Sequence, residues 1–101
     1  MSQQIGQDWG ARAAALKAAG DLAGAAEAHA AAVRARPTSA VAEHNLAATL
    51  GDLGDHAGAF AATKRAFDKG GDAPETWLVH ARSLQALGEV AAAVDAQRGA
   101  E

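Results

Sequence analysis

LKAAGD at residues 16–21, LGDLGD at residues 50–55 and LQALGE at residues 84–89 are the same segment written three times, 34 residues apart. In register they align Leu16 with Leu50 and Leu84, Gly20 with Gly54 and Gly88, and Asp21 with Asp55 and Glu89. Outward from these anchors the same shift aligns three all-alanine columns: Ala13, Ala47 and Ala81; Ala25, Ala59 and Ala93; Ala32, Ala66 and Ala100. Alanine columns alone carry little weight in a chain so rich in alanine. The glycine, acidic and leucine columns use rarer residues, and their shared register is the mark of a stacked helical array.

Each column has a physical reading. Glycine between two helical segments reaches the left-handed conformation that ends the first of them, so Gly20, Gly54 and Gly88 are expected at turns. The acid that follows would accept from the free N–H groups at the start of the next helix and meet the positive end of its dipole. Uniform alanine marks places where helix axes approach closely. Between units, Pro37 halts a helix and Thr38 or Ser39 caps the next. Gly70 and Gly71 end another helix, and Pro74 suits a first turn. Helices are therefore expected at about residues 7–19, 23–36, 40–53, 57–69, 74–87 and 90–100, short-looped and hence antiparallel.

Composition agrees with one small all-α domain. Half of the 101 residues are hydrophobic but only 4% are aromatic, so the apolar surface comes from small side chains that favour helix. A net charge of −3 with scattered Lys and Arg lacks the basic footprint of a nucleic-acid binder. No cysteine is present, which removes disulfides, thiol nucleophiles and thiolate metal sites. Residues 1–9 lack the apolar run of a signal peptide, and no segment has the length of a membrane span, which makes a cytoplasmic location the expectation. The Ala, Arg and Gly bias suggests a bacterial, GC-rich genome. His29, His44, His56 and His80 include no close pair, and neither paired catalytic carboxylates nor a phosphate-cradling loop occurs. No metal, cofactor or enzymatic activity is expected.

The period and columns resemble the tetratricopeptide repeat, whose 34-residue unit carries a Trp, a Leu-Gly pair, a Tyr, a Gly, an Ala, a bulky residue, an Ala and a closing Pro. Trp9 and Trp77 match the opening aromatic, Leu46 the following Leu, and Pro37 the closing Pro; Leu16, Leu50 and Leu84 stand where the family has Tyr. Glu43 departs from the opening aromatic, Arg12 and His80 from the Leu, and His29, Thr63 and Gln97 from the bulky residue. The resemblance implies a right-handed superhelical array of three antiparallel helix pairs over residues 1–101, with units at about 6–39, 40–73 and 74–101. Because the third unit stops before its closing Pro, the last helix should present Ala91, Val94 and their neighbours to solvent, to another chain or to further sequence beyond the end.

The resemblance also implies a site. In the family, first helices line a concave groove, and the corresponding stripe here holds Gln7, Gly10, Ala11, Ala14 and Lys17; then Val41, His44, Asn45, Ala48 and Asp52; then Glu75, Leu78, Val79, Arg82 and Gln85. The family's clamp for a peptide's terminal carboxylate is absent, since only Asn45 of its Lys, Arg and Asn residues is kept. Asn45 is the leading candidate for bonding a peptide backbone, against the plainer reading of a surface amide. Arg82 would pair with an acidic group of a ligand or form an ordinary salt bridge. Leu78 and Val79 would add apolar contact, with His44, Lys17, Ala48 and Gln85 around them. The implied function is a non-enzymatic module that binds a peptide or helix of a protein partner. Two other readings stand beside it: the recognition domain of a larger enzyme such as a protein glycosyltransferase or sulfotransferase, and a scaffold self-associating through its last helix.

Overall fold

A computed structural model describes residues 9–99, and side chains through residue 91. Among the described residues five helices follow one another: α1 (Trp9–Ala18), α2 (Leu22–Ala35), α3 (Ala40–Asp52), α4 (His56–Asp68) and α5 (Pro74–Gly99). No strand occurs among the described residues. Gln7 and Ala100 of the columns and stripe above lie outside the described residues, as do the side chains of Ala93, Val94 and Gln97.

The first two turns form as their chemistry dictates. Gly20 and Gly54 both take φ of 85°, and Gly70 takes 88° at the joint between the second and third units. After each of the first two glycines the aspartate caps the next helix: Asp21 accepts from the Gly24 amide at 2.8 Å and Asp55 from the Gly58 amide at 2.9 Å. Ser39 caps α3 the same way, accepting from the Ala42 amide at 3.1 Å. Pro74 occupies the first position of α5, where its missing N–H costs nothing.

The third turn does not form. Residues 74–99 run as one helix of 26 residues straight through Gly88, in place of the two helices expected at 74–87 and 90–100. The third of the expected helix pairs is therefore not formed among the described residues. The capping residue differs: in the working turns an aspartate accepts from the amide of Gly24 or Gly58. In the third unit that position is Ala92, and the acid is Glu89, whose longer side chain is a poorer cap. With the cap lost, alanine-rich sequence on both sides favours uninterrupted helix.

Packing is built from small residues. Ala13, Ala25 and Ala28 form one buried cluster under Trp9 and Leu16; Leu46, Ala47 and Ala62 form a second, joined by Ala30, Val33, Leu50 and Val79. The column residues Ala25, Ala59 and Ala66 are fully buried, as close helix approach requires, while Ala32 is half-buried. Ala81 is exposed, because the helix that should cover it has not folded back. Glu43, where the resemblance puts an aromatic, is not a surface departure but completely buried.

Candidate functional site

Helix α3 lies at the centre of the stripe. Toward α1 and α2 it borders a cleft of about 390 Å³ lined by Trp9, Gly10, His29, Arg36, Val41 and Asn45 among others. Toward α5 it borders two smaller ones. The first, about 240 Å³, is lined by Val41, His44, Glu75 and Thr76. The second, about 180 Å³, is lined by Ala48, Asp52, His56, Val79 and Arg82. Positions 41, 44, 45, 48 and 52 of α3 thus all meet open clefts, as three- and four-residue spacing on one helical face allows.

Asn45 and Arg82 do not share a cleft. Asn45 opens between α1 and α3, Arg82 between α3 and α5, so a ligand touching both must cross α3. Lys17 reaches over from α1 to Asp52 at 3.4 Å, a half-exposed pair that contributes little stability. Leu78 is exposed and lines none of these clefts. Gln85 donates to Glu89 Oε1 at 3.3 Å along the surface of α5.

His44 on α3 and His80 on α5 are each hydrogen-bonded to threonine. His44 Nδ1 lies 2.9 Å from Thr76 Oγ1. His80 Nδ1 lies 2.7 Å from Thr63 Oγ1, and that hydroxyl donates to the Phe60 carbonyl at 2.9 Å. A hydroxyl has one proton to give, so His80 Nδ1 must be the donor to Thr63, which fixes its tautomer. The ring also stacks on Phe60 with centroids 4.9 Å apart. These contacts anchor α5 to α3 and α4 and hold the α5 wall of the site. No group of three or more His, Cys, Asp or Glu able to hold a metal occurs among the described residues.

Charges unseen by the stripe shape the site's surroundings. Arg36, on the α2 side, brings a positive charge to the cleft around Asn45, which His29 also lines. Burial, followed by the charge of Lys17, holds the His29 imidazole below its ordinary pKa. Behind the clefts, Glu43 Oε2 accepts from Arg65 Nε at 2.9 Å and from Lys69 Nζ at 2.6 Å. Burial alone would raise the Glu43 pKa; the two hydrogen bonds and the charges behind them outweigh it and leave the carboxyl below its usual value. Its Oε1 is buried without a protein partner. A second large cleft, about 420 Å³ between α1 and α2 and lined by Arg12, Glu27 and Arg34 with Trp9 and Leu16, contains no residue of the stripe. The sequence signal for the Glu43 cluster was an acid in an apolar column with two cations spaced i, i+4 at residues 65 and 69.

No helix of the described residues is long and apolar enough to cross a membrane. Compared with protein-family models, curated proteins and solved structures, the chain matches none.

Proposed function

We propose that the chain is a tetratricopeptide-type array that binds a peptide segment of a protein partner across the clefts flanking α3. In this reading α1 with α2 and α3 with α4 are antiparallel pairs of a right-handed superhelix, α5 begins the third unit, and α1, α3 and α5 line the concave side. The observation that carries it is the coincidence of the stripe implied by the resemblance with the open clefts: Val41, His44, Asn45, Ala48 and Asp52 line them from α3, and Val79 and Arg82 from α5. Small side chains such as Gly10 and Ala48 leave shallow space, and the polar groups are spread out rather than converged on one point, which suits an extended ligand more than a compact one.

Asn45 donates to and accepts from the peptide backbone, and Arg82 takes an acidic side chain. Peptides selected from a displayed library on the immobilised chain would be titrated against Asn45→Ala, Arg82→Ala and the double variant. Each single change should weaken binding of a peptide spanning both clefts, and the pair should cost about 1–3 kcal/mol, or roughly 5- to 150-fold. Lys64→Ala, an exposed cation on α4 that lines none of these clefts, serves as control. Undiminished affinity in the double variant, with the fold intact, would remove the groove as the binding surface.

A further inference from the structure

The first core cluster joins Trp9, Ala13 and Leu16 of α1 to Ala25 and Ala28 of α2. Shifted by two periods, those five positions are Trp77, Ala81, Leu84, Ala93 and Ala96: every residue is the same. In the first unit, the turn at Gly20 brings the two halves of the set together. In the third they lie on one continuous helix, where Ala81 and Ala93 are 12 residues and so about 18 Å apart along the axis. No bend of a helix brings them into contact.

The result is an unfilled half-site with its complement out of reach on the same chain. Trp77 stacks on Phe67 at 4.1 Å but remains 52% exposed; Leu84 is 49% exposed and Ala81 is open. Val90, farther along, is 60% exposed. Folding back at Gly88 is disfavoured by Glu89, which replaces the aspartate that caps the helix after the other two turns. A second copy presents the missing half without needing that turn.

We propose that two copies of the chain exchange the C-terminal halves of α5, residues 90–99 of each covering Trp77, Ala81 and Leu84 of the other. The interface is isologous, with each copy giving and receiving the same segment, and its contacts are those the first unit makes internally. The groove residues Asn45 and Val41 lie outside it, whereas Val79 and Arg82 sit on the same stretch of α5, so the Asn45 cleft is the part of the groove that dimerisation leaves untouched.

The test measures the mass of the purified chain by light scattering across a concentration series. Twice the chain mass is expected at high concentration, with dissociation on dilution. Glu89→Asp with Ala92→Gly restores the cap and should return the mass to that of one chain, while circular dichroism shows helix content largely kept. The native chain has no cysteine, so Leu84→Cys with Ala93→Cys gives an unambiguous crosslink. Oxidation should produce a covalent dimer. A native chain that stays monomeric at every concentration, or a crosslink that forms within one chain, overturns the exchange in favour of a folded-back α5. A dimer that survives the restored cap overturns it in favour of some other interface.

Discussion

Replacing Glu43 by glutamine isolates what the buried carboxylate contributes. It keeps the shape and removes the charge from a side chain only 1% exposed. Two charge-assisted hydrogen bonds are weakened. Such bonds contribute about 1.5–3 kcal/mol each when fully desolvated, but Arg65 is 48% exposed and Lys69 21%, so both cations can turn to water when the charge goes. Discounted for that screening, the loss should be about 2 kcal/mol, with Tm falling by about 4–8 °C per kcal/mol in a domain of this size. Glu43→Met should be milder, because it also removes the desolvation cost of the carboxylate and of its unpartnered Oε1. Urea unfolding followed by circular dichroism gives the numbers. The pH dependence checks the cause: the folded pKa of Glu43 is lowered, so its contribution is complete above the unfolded carboxylate value of about 4.3 and is lost as pH falls through the folded value. The gap between the native chain and the glutamine variant should therefore close in acid. An equal gap at pH 7 and in acid, or none at pH 7, would refute the charge-based account.

Glycine to alanine should change sign within one column. Gly54→Ala strains a residue at φ of 85° and should destabilise by about 1 kcal/mol or more, whereas Gly88→Ala, inside a helix with nothing within 4 Å of the new Cβ, should stabilise by about 0.5–1 kcal/mol; thermal melts decide both. Gly54→Val, β-branched at the same φ, should be worse than Gly54→Ala. Ala59→Leu overfills a fully buried contact and should cost about 1–3 kcal/mol, and an unchanged Tm would show that the site has room. His29 has a lowered folded pKa, so stability should be complete above about pH 6.5 and decline as pH falls below it; His29→Gln should flatten that part of the stability–pH curve.

The elements were legible where local chemistry and the period agreed. Gly20, Gly54 and Gly70 end helices at positive φ, and Asp21, Asp55 and Ser39 cap the next ones, each readable from residue type and position. The third turn misled because the period pointed to Gly88 while the local chemistry did not: Glu89 stands where aspartate caps the helix after the other two turns, and glutamate is a poorer cap. The stripe on α3 was readable from helical spacing combined with the resemblance. That Asn45 and Arg82 open into different clefts was not, since it depends on how far α1 and α5 stand from α3. Glu43 is a tertiary matter as well: whether a carboxylate in an apolar column is buried or exposed depends on cations 22 and 26 residues away.

Each helix packs chiefly on its neighbours in sequence, and α1 makes its close backbone approach to α2 alone. Almost every contact therefore closes a short loop, so little chain entropy is lost before stabilising contacts form, and folding should be fast for a domain of this length. It also makes protection graded rather than uniform. Helix α1 can detach by giving up its cluster on α2 and the half-exposed Lys17–Asp52 pair, while α3 and α4 are held from both sides and by the Glu43 ion cluster. Amide protons in α1 should exchange through local opening well below the global unfolding free energy, and those of α3 and α4 only when the whole array opens.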